Sequence, residues 1–175
     1  MSHVRNRLTT IACATLFGLG VILPSATPAS AVGCIGSGCT GKDPQLNCSG
    51  APFDTLESRT GPGVGPSLYT VQLRYSPTCQ AFWARGIRED CASLQTPWVH
   101  IAEEQQKSIL LDGERTWVTS RVQRSQVHDC QGGTGWTRMN PDENDRHRAC
   151  LATNFSDMPP SSPPFDGWLC TAWRY

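Results

Sequence analysis

The sequence predicts a small all-β fold, a disulfide-stapled antiparallel barrel or sandwich of about seven short strands. Three observations favour this fold. Apolar and polar residues alternate in short runs, as along residues 71–75 and 116–123. Turn-forming residues separate those runs, and no long segment has the apolar spacing of a helix. The cysteines of an exported chain then supply the staples that a domain of this size needs.

The first 31 residues have the pattern of a secretory signal peptide rather than of folded structure. Arg5 and Arg7 form a basic start, residues 8–23 are mostly apolar, and Ala29-Ser30-Ala31 offers small residues at a cleavage site. Cleavage after Ala31 is expected to leave a single mature β domain over residues 32–175. The apolar run is interrupted and shorter than the roughly 20 residues of a membrane span. We therefore expect a secreted, extracellular protein without stable membrane insertion.

The charge balance of the mature chain argues against nucleic acid as a partner. Removing the signal leaves 13 basic residues against 15 acidic ones, a net charge of −2. A nucleic-acid-binding domain normally needs a basic face to neutralise phosphates. The expected partner is instead an extracellular glycan or protein, and the expected state of the mature chain is a monomer.

Eight cysteines remain in the mature chain, and an even number in an exported protein indicates a disulfide framework. A zinc site would need Cys-x-x-Cys pairs or clustered histidines, so neither a metal nor another cofactor is expected. The connectivity stays open, although a bridge between Cys39 and Cys48 would close a short loop easily. The eight disulfide candidates are Cys34, Cys39, Cys48, Cys79, Cys91, Cys130, Cys150 and Cys170.

The N-terminal half is organised around one hairpin. Residues 32–67 are rich in cysteine and glycine and are expected to be irregular. Residues 71–75 and 79–83 then form the two strands of the central hairpin, joined by Ser76-Pro77-Thr78. Trp83 lies on the cysteine face of its strand, so it is expected in the core.

A second hairpin is predicted farther along the chain. A strand over residues 98–102 leads into residues 103–107, which are expected to turn the chain back. Asp112-Gly113 is a strong hairpin signal before the strand of residues 116–123. Alternation in that strand directs Val118 and Val122 toward the core. The opposite face would then carry Trp117, Thr119 and Arg121.

The C-terminal part is predicted to consist of short elements. Residues 136–139 form a short strand, residues 140–145 an acidic turn and residues 146–153 a further strand. Prolines make the stretch of residues 158–164 irregular. A final strand over residues 167–175 is expected to be pinned by a disulfide through Cys170.

Several side chains suit hydrolysis by type, but their order in the chain does not match a catalytic motif. His128 and His147 are the candidate bases, and no Gly-x-Ser-x-Gly elbow accompanies them. Glu103 and Glu104 would point to opposite faces of a strand, so both are expected to be solvated rather than paired for catalysis. The acidic turn of residues 140–145 lacks the ligand order of a calcium loop. No catalytic residue is therefore assigned.

The tryptophans are the strongest indication of a binding surface, because all 6 lie in the mature domain. Outward aromatic side chains beside polar groups are suited to stacking against a sugar ring or a partner protein. Trp117 and Trp136 each share strand parity with an arginine. The predicted ligand-binding residues are Trp117, Trp136, Arg138 and Arg121.

Several blocks of the sequence resemble a known family. The blocks are Cys39-Thr40-Gly41-Lys42-Asp43-Pro44, Leu73-Arg74-Tyr75-Ser76-Pro77-Thr78-Cys79 with Trp83-Ala84-Arg85, Trp136-Thr137-Arg138-Met139 and Arg148-Ala149-Cys150. Across residues 34–151 they are similar to the YjfA-like family of small exported proteins of Gram-positive bacteria, the domain of unknown function 2690. The resemblance implies a bacterial, exported, single-domain protein, and it implies no activity. Cys91, Cys130 and Cys170 depart from the family's pattern, so no disulfide pairing is carried over.

These observations favour a non-catalytic extracellular binding or interaction module for an envelope glycan or a protein, and not an enzyme. A small secreted hydrolase using His128 or His147 is the first alternative. A secreted protease inhibitor is the second, with residues 61–66 or residues 158–164 as the exposed rigid loop.

Overall fold

The computed structural model describes residues 32–62, 68–89, 99–127, 133–152 and 168–175. The predicted signal peptide, the proline-rich stretch, Cys91, Trp98, His128 and Cys130 lie outside these ranges. Within them the strands are β1 (Asp54–Pro62), β2 (Leu68–Ser76), β3 (Ala81–Arg88), β4 (Val99–Leu111), β5 (Glu114–Val127), β6 (Thr134–Trp136), β7 (Asn140–Pro141), β8 (Arg146–Leu151) and β9 (Leu169–Cys170). Two short helical turns precede them, a 3₁₀ turn (Gly36–Cys39) and α1 (Pro44–Asn47).

The strands form two antiparallel sheets, which confirms the predicted all-β fold. Sheet I has the order β1-β2-β3-β6, and β7 also pairs with β3. Sheet II has the order β5-β4-β8-β9. Neither sheet closes on itself, so the architecture is the sandwich of the two predicted alternatives rather than the barrel. The described residues contain nine strands instead of about seven, because β1 and β7 were not anticipated.

The main core lies between the two sheets. Alternate residues of β2 and β3 face it, and β4 and β8 contribute from sheet II. Burying a large apolar side chain of this kind stabilises the fold by about 1.5–3 kcal/mol. The buried members are Tyr69, Val71, Leu73, Phe82, Ala84, Val99, Ile101, Val127, Ala149 and Leu151.

A second buried cluster lies on the outer face of sheet I. Ala81 and Trp83 point away from the main core, because they alternate with Phe82 and Ala84 along β3. The cysteine-rich N-terminal segment covers them, and Trp83 is only 4% exposed, as predicted for a core tryptophan. The N-terminal segment has little apolar surface of its own, so it needs covalent support to stay in place. Disulfides Cys34–Cys39 and Cys48–Cys79 provide it.

The disulfide pairs correct one expectation and confirm another. Cys39 pairs with Cys34 rather than with Cys48, because Cys48 is close enough to bridge to Cys79 beside the central hairpin. A third bridge joins Cys150 in β8 to Cys170 in β9, so the last strand is pinned by its own disulfide.

The central hairpin is confirmed, while the segment before it is more regular than predicted. β2 and β3 pair from Tyr69 with Arg88 to Ser76 with Ala81. Residues 54–62, expected to be irregular, form β1 at the edge of sheet I. Most of β1 is exposed, so its sequence lacks the apolar alternation that identifies a half-buried strand.

The expected turn at residues 103–107 is wrong, because β4 runs without interruption from Val99 to Leu111. β4 is a central strand of sheet II, paired with β5 on one side and β8 on the other. The Asp112-Gly113 turn is confirmed, with φ angles of 51° and 84°. Such positive φ values at both central residues are those of the hairpin turn preferred by this dipeptide.

A β-bulge in β5 corrects the predicted faces of that strand. Gln105 pairs with Arg121 and Gln106 with Thr119, so Ser120 has no partner in the register. The extra residue reverses the alternation beyond it. Trp117 and Thr119 therefore share one face and Arg121 lies on the other. Val118 and Val122 likewise do not share a face, and Val122 packs on the cluster around Cys150.

Two smaller corrections concern the C-terminal part. β6 ends at Trp136, where the predicted strand of residues 136–139 was to begin. Asn140 and Pro141, assigned to an acidic turn, instead form β7 against Ala81 and Phe82. β8 confirms the strand predicted from Arg146 onward. No helix among the described residues is both long and apolar enough to cross a membrane.

Candidate functional site

The outer face of sheet I carries a row of arginine and tryptophan side chains. In the register of β2 and β3, Arg74 lies opposite Trp83 and Gln72 lies opposite Arg85. Arg85 in turn lies opposite Trp136 of β6. Directly paired residues of antiparallel strands project to the same side, so these five side chains share one face.

A cavity of about 450 Å³ opens where this face meets the N-terminal segment. The sheet forms its floor and residues around α1 form its wall. Asp43 caps α1 by accepting a hydrogen bond from Gln45 N at 2.8 Å. The Cys48–Cys79 bridge fixes the end of that wall. The lining residues are Pro44, Gln45, Cys48, Ser49, Gly50, Phe53, Arg74, Trp83, Arg85 and Trp136.

Three aromatic rings and two guanidinium groups alternate around the cavity. Phe53 packs edge to face on Trp83, with ring centroids 6.1 Å apart. Arg74 Cζ lies 4.5 Å from the Phe53 ring centroid, and Arg85 Cζ lies 5.8 Å from that of Trp136. These distances are those of cation–π contacts. The cavity thus combines aromatic rings with two cations, each of which lies over the face of one ring.

The cavity lining is electropositive. None of its residues is acidic, and burial together with the charge of Arg85 lowers the pKa of Arg74. Arg74 donates from Nε and Nη2 to Gln72 Oε1, a neutral acceptor. Trp83 Nε1 and Arg85 Nε are buried donors without a hydrogen-bond partner among the described residues. Native structures leave few buried donors unsatisfied, so these two are exceptions among the buried polar groups.

The four predicted ligand-binding residues do not form one site. Trp136 lines the cavity, whereas the exposed Arg138 lies outside its lining and approaches Gly41 O at 3.4 Å. Trp117 lies on the outer face of sheet II. Arg121, beyond the bulge, forms an ion pair with Glu143 at 2.9 Å.

Sequence reasoning missed Phe53, Arg74 and Arg85. The signal for the two arginines was present, because the hairpin register that places Trp83 also places Arg74 beside it and Arg85 two residues farther along the same face. Phe53 lies in a non-repetitive segment before β1, where no periodicity indicates its neighbours.

Trp117 belongs to a separate aromatic and cationic ladder on sheet II. Arg146 Cζ lies 4.4 Å from the Trp117 ring centroid and 4.6 Å from that of Trp173. Arg148 Cζ also lies over the Trp173 ring, 4.5 Å from its centroid. Both cations have acceptors, because Arg146 donates to Gln106 Oε1 and Arg148 pairs with Glu104. The ladder is therefore internally satisfied, and its contacts stabilise the sheet.

His147, one of the two candidate bases, lies in a polar network inside the core. Its Nδ1 is 2.7 Å from Glu103 Oε1, and its ring stacks on Phe82 with centroids 3.9 Å apart. Asn140 donates to the other oxygen of Glu103. Both His147 and Glu103 are 0% exposed, so a substrate does not reach this pair. Burial raises the pKa of Glu103, with His147 acting in the opposite direction.

The two glutamates lie on opposite faces, as predicted, but the expectation that they are solvated is wrong. Glu103 bonds to His147, whereas Glu104 bonds to Thr119 and pairs with Arg148. Both are 0% exposed. Cross-strand donors, rather than water, satisfy them.

Carboxylates of the predicted acidic turn are likewise engaged by protein donors. Asp142 accepts from Tyr75 Oη at 3.0 Å and Asp145 accepts from Gln105 Nε2 at 2.9 Å. The sulfurs of Cys34, Cys39 and Cys48 lie within 4.8 Å of one another. They belong to disulfides, which lack the thiolates that bind a metal.

Comparison with known proteins gives one match. A family model described as protein of unknown function (DUF2690) matches residues 37–150. Neither the curated proteins nor the solved structures contain a significant match. The YjfA-like label of the resemblance stays a prediction. Because the matched residues span more than half of the chain, the protein belongs to this family of proteins of unknown function.

Proposed function

We propose that this protein is a secreted, non-catalytic module that binds a saccharide in the aromatic cavity on the outer face of sheet I. The observation that carries the proposal is the lining itself, in which Phe53, Trp83 and Trp136 surround an open space of about 450 Å³. Ligand pockets commonly combine aromatic walls with a few fixed polar groups.

A saccharide suits this lining better than a purely apolar ligand. The C–H faces of a sugar ring stack on aromatic rings, while its hydroxyls need hydrogen-bonding groups at the ring edges. Gln45, Ser49 and Arg85 supply such groups beside the rings. An apolar ligand would bury these polar groups without compensation, at a cost in free energy.

The chemistry of the lining favours binding over catalysis. It contains no histidine, aspartate or glutamate, so it offers none of the usual general bases. His147 is buried elsewhere and His128 lies outside the described residues. No observation favours the hydrolase alternative. The inhibitor alternative rests on residues 61–66 and 158–164, of which only Gly61 and Pro62 are described, within β1.

Support for an extracellular location comes from the covalent structure. Three disulfides form among the described residues, and such bridges persist in oxidising compartments. The predicted signal peptide points to the same location.

The test is a saccharide-binding assay with matched tryptophan variants. The purified protein is applied to a glycan array and to insoluble envelope polysaccharide, with reduced and unfolded protein as the background control. Trp136→Ala is expected to weaken binding about tenfold or more, since a buried aromatic contact of this kind contributes about 2 kcal/mol. Trp117→Ala removes an equal ring from the ladder on sheet II and should leave binding unchanged. Equal loss in both variants, or no retention of the wild-type protein, would refute the proposal.

A further inference from the structure

We propose that the cavity on sheet I selects an anionic saccharide, whose oxyanion is held by Arg74 and Arg85 while its ring stacks on the aromatic wall. This inference rests on the proposed function and adds the chemical class of the ligand. It is drawn from the charges and unsatisfied donors of the cavity, which the aromatic rings alone do not explain.

Two arginines lie side by side on the floor of the cavity. Arg74 lies opposite Trp83, and Arg85 follows Trp83 by two residues on the same face, so the arginines are diagonal neighbours across β2 and β3. Diagonal cross-strand residues are close enough for long side chains to interact. Their mutual repulsion appears in the lowered pKa of Arg74, to which burial contributes most.

No acidic side chain of the described residues lines the cavity to balance these cations. Arg121, Arg148 and Arg174 form ion pairs with glutamates, and none of these three arginines lines the cavity. Arg74 is only 9% exposed and is bonded to the neutral Gln72. A buried cation without an anion costs free energy, and a bound oxyanion would offset that cost.

Two nitrogen donors of the residues that line the cavity are unsatisfied within the described part of the chain. Trp83 Nε1 and Arg85 Nε are both donors, and both lack an acceptor among the described residues. Trp83 is more than nine-tenths buried and lines the cavity. A lining that contains two arginines and no acidic residue favours a ligand that brings acceptors.

The guanidinium groups of Arg74 and Arg85 suit an oxyanion as ligand. Arginine forms paired, charge-assisted hydrogen bonds with carboxylate and phosphate groups. Gln72 Oε1 accepts from Nε and Nη2 of Arg74 and so holds the guanidinium in place. The shared feature is an oxyanion attached to a saccharide.

The central comparison is between trigalacturonate and its uncharged methyl ester. Binding of trigalacturonate, its methyl ester, glucuronate and glucose 1-phosphate is measured by calorimetry with the wild-type protein at low and high ionic strength. The acid is expected to bind about tenfold or more tightly than the ester, because a hydrogen bond to a charged group contributes about 1.4 kcal/mol more than a neutral one, which is tenfold in affinity. Salt should weaken binding of the acid and not of the ester. Glucuronate and glucose 1-phosphate, two monosaccharides, are compared with each other to identify which oxyanion is preferred.

Protein variants distinguish a local anion-binding site from electrostatic attraction by the net charge of the protein. Arg85→Gln should lose the preference for the acid, whereas Arg85→Lys should retain the salt dependence with weaker binding. Arg115→Gln removes the same charge from the exposed end of β5 and should bind like the wild type. Near-ultraviolet circular dichroism checks that each variant is folded.

The outcomes distinguish this inference from the proposed function. Equal binding of acid and ester in the wild-type protein would overturn the anion inference and leave saccharide binding intact. Equal effects of Arg85→Gln and Arg115→Gln would also overturn it, because attraction would then reflect net charge. If the protein bound no ligand of this panel and none of the array, both the anion inference and the proposed saccharide binding would be overturned.

Discussion

The carboxylate of Glu103 is buried between the sheets, where His147 and Asn140 are its hydrogen-bond partners. Desolvation favours the protonated acid, while the histidine favours the carboxylate, and burial is the larger effect on the pKa of Glu103. The protonation of Glu103 is therefore linked to the stability of the sandwich.

The pH dependence of stability follows from the raised pKa of Glu103. The folded state binds this proton more tightly than the unfolded chain, whose ordinary pKa is 4.5. The contribution of the proton to the free energy of unfolding is therefore complete below that pH and declines as the pH rises toward the folded-state value. Relative to Glu103→Gln, the wild-type protein should lose stability across this window in urea titrations.

The control for this experiment is Glu114→Gln, which alters an exposed carboxylate at the start of β5. Its stability relative to the wild type should vary little over the same pH range. A wild-type advantage over Glu103→Gln that grows with rising pH would show that Glu103 is ionised and stabilised by His147, contrary to this account.

At the scale of elements, two glycines mark where the sheets approach most closely. A Cβ on Gly86 would lie 2.5 Å from Val127 Cγ2 and 2.7 Å from Ile101 Cγ2. A Cβ on Gly135 would collide with the backbone carbonyl of Gln126. Side chains adjust more easily than backbone, so the second position tolerates less.

Alanine substitutions test this close approach. Gly135→Ala is expected to lower the free energy of unfolding by about 3 kcal/mol, and Gly86→Ala by about 1–2 kcal/mol. Gly38→Ala is the matched control, because a Cβ at Gly38 would meet nothing within 4 Å and its effect should stay within about 0.5 kcal/mol. Chemical denaturation measures all three. A Gly135→Ala variant as stable as Gly38→Ala would contradict the described packing.

The disulfides predict unequal contributions from the two N-terminal bridges. Cys48–Cys79 spans 31 residues and Cys34–Cys39 spans 5. Removing the bridge of the longer loop should cost about 3–4 kcal/mol and removing that of the shorter about 2 kcal/mol, if chain entropy dominates. Thermal and urea unfolding of the two double-alanine variants checks this order. The opposite order, or a Cys39–Cys48 peptide after non-reducing digestion, would be evidence against the observed pairing.

A strand could be predicted from the sequence to the extent that one of its faces is buried. β2 and β3 alternate clearly, because one face meets the core and the other is polar or covered by cysteines. β1 lies at an exposed edge and shows no such pattern. β4 carries the polar Glu103, Glu104 and Gln105 in its buried part, and these resemble a turn until cross-strand partners are known.

The candidate site was predictable only in part, for a related reason. Trp136 was identified from its residue type, and its neighbours required the pairing of β3 with β6. The bulge at Ser120 separates Trp117 from Arg121, and a local pattern does not reveal an insertion of one residue in the register. Residues brought together by distant pairings are therefore the ones that sequence periodicity misses.

At the scale of the whole molecule, the cysteine-rich N-terminal segment forms a third layer on the sandwich, and disulfides hold it in place. Sheet II covers one face of sheet I with apolar side chains, and the cysteine-rich segment covers part of the other. The cavity lies at the boundary of that partial cover, between α1 and the Arg74–Trp83 row. This arrangement holds one wall of the cavity by a disulfide and its floor by the sheet.

The most direct test of saccharide binding in this cavity is the nuclear magnetic resonance spectrum of the tryptophan indole N–H groups. The protein has 6 tryptophans, so few resonances need assignment. During titration with trigalacturonate, the signals of Trp83 and Trp136 are expected to shift together and saturably, while those of Trp117 and Trp173 stay in place. Shifts confined to Trp117 and Trp173 would contradict the account, because they would place the ligand on the ladder of sheet II.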